Sequence, residues 1–191
     1  MTQPRSKPIE LRTRRFELRT LKPADACESW VAWAKDPEVM GPLNQPVRVM
    51  SVPELASYIG GFDNVNRCLI GLFDRVGEAL IGFFMIELDH GHRLATFNVV
   101  IGDKSWWGKG AVNEARAALL DHFFEHRGIE KACGAPLARN FPAIFNYKAQ
   151  GWRHEGTLRA HRVSLIDGKR ADQVQFGLLR SEWRAARAKG K

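Results

Sequence analysis

The sequence predicts one α/β domain, and three observations carry that prediction. Three strand-like apolar runs follow one another as a meander between residues 67 and 101. The clearest helical pattern, residues 111–126, comes directly after them. No repeat or linker-like stretch interrupts the interior of the 191-residue chain. That length suffices for a sizeable single core. An apolar content of 45% and a charged content of 26% are those of a soluble globular protein. No window approaches the roughly 18 consecutive apolar residues of a membrane span, and the N-terminus lacks the apolar run of a signal peptide. The expected location is therefore cytoplasmic.

In chain order, residues 1–10 hold two prolines and read as a flexible lead-in. Phe16 to Leu21 alternates as a half-buried strand. Pro23-Ala-Asp25 opens a helix with Cys27, Trp30, Val31 and Ala34 on one side. It stops at Asp36-Pro37, because proline disfavours helix at the residue before it. Residues 41–50 form a loop. Ser51-Val-Pro-Glu54 is a capping box with proline inside the first turn, which starts a second helix reaching about Phe62. Strands over Arg67–Phe73, Ala79–Leu88 and Leu94–Ile101 are joined by the hairpin turns Asp74–Gly77 and Asp89–His92. The 111–126 helix places Val112, Ala115, Leu119, His122/Phe123 and His126 on one stripe, and Gly128 ends it. Then come a strand over Lys131–Leu137, a short helix from Asn140 to Gln150, and strands over about Gly156–Leu165 and Asp172–Leu179 around Asp167-Gly168. The order is β-α-α-β-β-β-α-β-α-β-β.

The formal net charge of +8 suggests a nucleic-acid binder until it is divided up. Residues 1–22 carry seven Lys/Arg against two acids, and residues 180–191 carry five against one. The intervening chain has 17 basic and 18 acidic residues, so the excess lives at the two ends. This argues against a basic reading face in the core and leaves anionic partners for the ends, including the ribosome, open. Residues 184–191, like 1–10, are expected to be flexible. Cys27, Cys68 and Cys133 sit far apart among apolar residues, with no zinc-like spacing, and read as buried small hydrophobes.

The most informative stretch is Asn98–Ala115. An apolar strand breaks at Gly102-Asp103, passes through Trp106-Trp107-Gly-Lys-Gly110, and enters a helix. Such a turn leaves backbone N–H groups unpartnered at the positive end of a helix, which makes an anion site, usually for phosphate. It is not a Walker loop, since Gly102 and Gly108 are separated by five residues and Lys109 is followed by Gly110. Nor is it a Rossmann fingerprint, since position 113 is asparagine and three meander strands precede it.

Residues 11–183 resemble the GNAT acyltransferase superfamily, in particular its ribosomal-protein N-acetyltransferase (RimJ/RimL-like) branch. The resemblance is carried in order by the segments 11–21, 36–40, Trp107-Gly-Lys-Gly-Ala-Val-Asn-Glu-Ala115, Asn140-Phe-Pro-Ala-Ile-Phe-Asn-Tyr147 leading to Gly151-Trp152, 155–159 and 178–183. It implies a mostly antiparallel central sheet flanked by helices, a monomer or homodimer, and acetyl-CoA as cosubstrate with no metal. It places the pyrophosphate on the backbone of Trp107, Gly108, Lys109, Gly110, Ala111 and Val112. The pantetheine arm falls on backbone at Val100, Ile101 and Gly102, with Asn140 contacting the cofactor arm. Trp107 and Val112 depart from the family's loop, which has a polar first and a small last residue.

The same resemblance puts Tyr147 where a tyrosine protonates the departing thiolate, and a phenol of pKa about 10 stays protonated for that task. Ala143 stands where some relatives carry serine. No general base is compelling: Glu87 and Asp89 read as solvated hairpin charge, and Thr96 to Asn98 hold no carboxylate. An α-amine of pKa about 7.8 is roughly a third neutral at pH 7.5, against about 0.1% for a lysine, so the missing base favours a protein N-terminus as acceptor. The alternatives are a small amine, such as a polyamine or aminoglycoside, and a non-catalytic ribosome- or RNA-binding protein on the same scaffold. His122 and His126 have the i, i+4 spacing of a metal pair but lack the accompanying glutamate and read as core or solvent-edge residues. His90 and His92 read as solvated. Trp106 lines the cleft or packs beneath it.

Overall fold

A computed structural model describes residues 7–189. Its strands are β1 (Glu10–Arg12), β2 (Phe16–Thr20), β3 (Arg67–Asp74), β4 (Leu80–Asp89), β5 (Leu94–Ile101), β6 (Lys131–Gly134), β7 (Arg153–Val163) and β8 (Arg170–Leu179). They form one sheet in the order β1-β2-β3-β4-β5-β6-β8-β7. Every pairing is antiparallel except β5 with β6. The helices are α1 (Glu28–Lys35), α2 (Pro37–Met40), α3 (Val52–Gly60), α4 (Ala111–His126), α5 (Phe141–Ala149) and α6 (Arg180–Lys189). This is the expected α/β class with a mostly antiparallel sheet and flanking helices.

Strand alternation separates two apolar layers. Cys68, Ile70 and Leu72 of β3 turn to one face with Phe84, Ile86 and Phe97, where α4 packs through Ala115, Leu119, Leu120, Phe123 and Phe124. Leu69, Phe83 and Met85 turn to the other, covered by Trp30 and Val31 of α1 and Leu55 and Ile59 of α3. Trp30 stacks on Phe83 at 4.0 Å between ring centroids. The capping box before α3 forms as its sequence dictates: the Glu54 carboxylate accepts the Ser51 N–H at 2.7 Å, and the Glu54 N–H donates to the Ser51 hydroxyl.

Several expectations need correction. The helix read from Pro23 is interrupted. Pro23–Asp25 is a 3-10 turn whose Asp25 carboxylate is gripped by Arg19 at 2.7 and 2.9 Å and accepts the Lys22 N–H, and α1 starts afresh after an extended Cys27. The inward stripe of α4 is Ala111, Ala115, Leu119 and Phe123 with Arg116, Leu120 and Phe124 beside it, so Val112 and His122 are half-buried and His126 is exposed. The strand expected to reach Leu137 ends at Gly134, and Leu137 makes only an isolated bridge to Gln173. Cys68 is buried, but Cys27 and Cys133 are half-buried.

The chain ends differ most. Ile9 is buried and Glu10 already pairs in the sheet, so the lead-in is shorter than expected. Residues 184–189 are helical rather than a flexible tail, because Trp183 enters the main core and donates its indole N–H to Asp121 of α4 at 2.7 Å. Arg184 and Arg187 bond Glu125 and Asp121 on the same helix. The remainder of the expected flexible ends, residues 1–6 and 190–191, lies outside the described residues.

Truncating Trp183 to alanine should therefore remove core area and the indole bond to Asp121, lowering stability by about 3 kcal/mol. Denaturant unfolding of Trp183→Ala measures this, and a change below about 1 kcal/mol would show that α6 is not anchored this way.

Candidate active site

The site begins where two strands part. The parallel pairing of β5 with β6 covers only Leu94, Ala95 and Thr96 against Lys131, Ala132 and Cys133. Beyond it β5 runs on to Ile101, while β6 ends at Gly134 and the chain turns away. The Phe97 carbonyl, facing the gap, accepts a hydrogen bond from the Tyr147 hydroxyl at 3.2 Å. In an antiparallel ladder backbone groups point alternately toward and away from the partner strand. Phe97 pointing into the gap means that Val99 and Ile101 do so too, while Val100 is turned toward Phe83 of β4. The Ile101 carbonyl is taken by the Trp107 indole N–H at 2.8 Å. Val99, next to Val100, thus offers a strand edge with no protein partner among the described residues.

Tyr147 is held on every side. Its ring stacks on Phe176 at 5.1 Å, meets Trp152 edge-on at 4.9 Å, and lies 4.4 Å from the Arg116 guanidinium carbon. A Cβ at Gly134 would overlap its hydroxyl. Asn140 positions the helix that carries it: the Asn140 side chain accepts the Ala143 N–H and donates to the Pro42 carbonyl. Burial pushes the phenol pKa up, and the Arg116 charge works against that rise. Arg116 is only 1% exposed and has no carboxylate partner among the described residues. It donates instead to the Gln150 side chain, the Asn146 carbonyl and the Asn113 side chain, and burial pushes its own pKa down to about 10.

The glycine-rich turn stands at the far end of β5. Gly108 and Gly110 both have φ of +72°, a left-handed conformation that residues with a Cβ rarely adopt, and Gly110 leads into α4 with no side-chain cap. The first main-chain bond of α4 runs from the Glu114 N–H to the Gly110 carbonyl. Among the described residues the N–H groups of Gly108, Gly110, Ala111, Val112 and Asn113 find no protein acceptor. Glu114 fixes the turn from behind, accepting from the Thr13 hydroxyl, the Arg15 N–H and the Arg15 Nε at 2.7–2.9 Å, while Arg15 also donates to the Lys109 carbonyl.

A cleft of about 630 Å³ opens on the α1/α3 side and takes in Val99, Val100, Asn140, Ala143 and Tyr147. Its charged residues are Arg48, Arg67, Arg162 and Glu87. Loop 41–50 and the β7–β8 hairpin meet over it: Asn44 donates to the Val163 carbonyl and accepts the Leu165 N–H, each at 2.9 Å.

A strand edge free of its neighbour, a helix N-terminus with unpartnered N–H groups and a buried tyrosine between them form the expected arrangement for a nucleotide-carried thioester. The acetyltransferase (GNAT) domain family matches residues 15–151. The chain belongs to the GNAT acetyltransferase family. It is an acetyl-CoA-dependent N-acetyltransferase. The uncharacterized N-acetyltransferase p20 of Bacillus licheniformis is 25% identical over 182 residues, covering 91% of this chain and 97% of that protein. The fold is shared with a spermidine N-acetyltransferase from Vibrio cholerae in complex with CoA and spermine (TM-score 0.78, 22% identity, 90% of this chain and 99% of that one). A ribosomal-protein alanine acetyltransferase from Vibrio fischeri shares it equally (TM-score 0.76, 15% identity, 92% and 98%).

Against this GNAT frame, Val100, Asn140 and Tyr147 meet in the cleft, whereas Ile101, Gly102 and the 107–112 turn lie beyond it along β5. Glu87, read as solvated hairpin charge, lines the cleft, while Asp89 caps the hairpin by accepting the His92 N–H at 2.9 Å. Trp106 packs edge-on against Phe16. The sequence reading missed Val99, Arg48, Arg67 and Arg116. Val99 needed the hydrogen-bonding parity of the ladder. Arg116 is a charged residue whose only sequence signal of burial is its place beside the inward stripe.

Neither His122 nor His126 belongs to a cluster of three ligand-type residues, and none exists among the described residues. Burial, reinforced by Arg127 and His126, pushes the His122 pKa down to about 4, and its Nε2 has no partner among the described residues. The unfolded chain takes up this proton near pH 6.5 and the folded chain does not, so stability present above pH 6.5 is lost as pH falls toward 4. His122→Gln should flatten that limb of the stability–pH curve, and an unchanged slope would reject the assignment. Separately, Gly134→Ala should dislodge the Tyr147 hydroxyl and lower turnover by about tenfold or more. Thiol release from acetyl-CoA reads this out, and full activity would mean that the tyrosine position does not matter.

Proposed function

We propose that this enzyme acetylates the α-amine at a protein N-terminus, as in the RimJ/RimL-like branch. The observation that carries this choice is the charge of the cleft, where Arg48, Arg67 and Arg162 face the single carboxylate of Glu87. A polyamine or aminoglycoside would bring several positive charges against three guanidinium groups, and like charges at close range cost affinity. Equal likeness to a spermidine enzyme and to a ribosomal-protein enzyme leaves the acceptor to the site, since fold does not dictate substrate. The shortage of carboxylates fits an α-amine, which is substantially neutral near pH 7.5 without a strong base.

In this reading the unpartnered N–H groups of Gly108, Gly110, Ala111 and Val112 bind the pyrophosphate, and Val99 with its neighbours along β5 holds the pantetheine arm. The amine attacks the thioester carbonyl carbon, forming the C–N bond as the C–S bond breaks. Tyr147 turns its hydroxyl from the Phe97 carbonyl and gives its proton to the departing thiolate; solvent then reprotonates it and takes the surplus proton of the amine.

Replacing Tyr147 with phenylalanine tests this assignment. Turnover should fall by about a hundredfold while acetyl-CoA affinity stays within about threefold, because general-acid assistance acts on the chemical step. Steady-state kinetics on N-terminal peptides, paired with calorimetric binding of acetyl-CoA, separates the two. Unchanged turnover rejects the acid role, and faster turnover of spermidine than of any peptide rejects the acceptor.

A further inference from the structure

Arg48 and Arg67 are two of the cleft's three positive side chains. Arg15 is paired with Glu114, Arg19 with Asp25, and Arg180 and Arg184 with Glu125. By contrast, the guanidinium groups of Arg48 and Arg67 have no carboxylate within 4.0 Å among the described residues, although both line the cleft. Arg67 sits directly across the ladder from Glu87. It nevertheless leans away, its guanidinium 4.6 Å from the centroid of the Phe62 ring. Arg48 is carried into the cleft by loop 41–50, where its N–H donates to the Ala34 carbonyl at 2.8 Å. Tyr58 lines the same cleft. Two cations thus share one cavity with Tyr58, Glu87 and Tyr147.

We propose that Arg48 and Arg67 form an anion subsite that selects acceptors with an acidic side chain close behind the reacting α-amine. This rests on the α-amine reading and narrows it to acidic N-terminal segments. The planar forks of two arginines suit a carboxylate, and a half-open cleft strengthens such pairs over their fully solvated worth. Glu87, directly across the ladder from Arg67, repels an acidic side chain, but the two guanidinium groups outweigh that single charge. A lysine at the same peptide position would meet two guanidinium groups and be rejected.

The test compares short peptides that share a free N-terminal alanine and differ only in the following residues: two glutamates, two glutamines or two lysines. The wild-type enzyme should show kcat/KM about tenfold or more higher for the glutamate peptide than for the glutamine peptide, mostly through KM, with the lysine peptide slowest. In R48Q/R67Q that ratio should collapse toward one, and in R48E/R67E the lysine peptide should become the best of the three. Both positions are exposed, and far-ultraviolet circular dichroism with acetyl-CoA binding verifies that the variants are folded. Equal rates for the three peptides, or a glutamate preference that survives R48Q/R67Q, overturns the subsite while leaving α-amine acetylation standing. Turnover of none of the peptides, with acetyl-CoA still bound, overturns the α-amine reading and the subsite together.

Discussion

Everything at the candidate site depends on the early end of one strand pairing. A parallel pair normally continues as far as both strands last, because each unpaired backbone group exposed to an apolar surrounding carries a penalty. Here β5 and β6 separate after Thr96 and Cys133, and the exposed edge of β5 has to find other partners. Tyr147 supplies one through Phe97 and Trp107 supplies another through Ile101, leaving Val99 between them. The parting therefore creates the slot, chooses the residues that line it and fixes where the tyrosine must stand. Gly134, the last residue of β6, is bare because the Tyr147 hydroxyl occupies the space of its missing side chain.

The tyrosine's other neighbour is the least ordinary residue of the interior. A guanidinium with no carboxylate is expensive to bury, and Arg116 is tolerated because α4 and α5 between them offer three acceptors. Even with its pKa pushed down to about 10 it remains a cation at neutral pH. A fixed positive charge thus lies over the face of the Tyr147 ring, where it lowers the cost of withdrawing the phenolic proton. Departures from binary patterning of this kind concentrate where function is carried.

How much of this was legible in the sequence follows from the range of each interaction. Local signals read well: the Ser51–Glu54 box, the hairpin turns and the Gly108–Gly110 turn all involve neighbours in the chain. The family segments singled out Tyr147 and the 107–112 turn as candidates. The misreadings share one cause, partners distant in sequence. Arg19 reaches Asp25 and splits a helix that its own residues favoured. Asp121 and Glu125 turn a basic tail into α6. Gln150 and Asn146 draw Arg116 inside and rotate the stripe of α4. Arg48 and Arg67 stand 19 residues apart in sequence, and only folding shows that they share a cavity and lack an anion.

The double grip of Asn44 gives the cleft a property beyond shape. One side chain holds loop 41–50 to the β7–β8 hairpin from both of its polar atoms, and Asn140 holds the same loop to α5. Arg139, just before α5, donates to the Ser164 hydroxyl of the hairpin turn, so loop, hairpin and the start of the helix are tied in a hoop and a displacement of one member loads the others. The loop that carries Arg48 is then no independent flap: its stiffness is borrowed from the hairpin across the cavity. Widening the opening for a bulky polypeptide means loosening the clasp at Asn44, and the resting diameter of the hoop sets a size limit on whatever passes through it unaided.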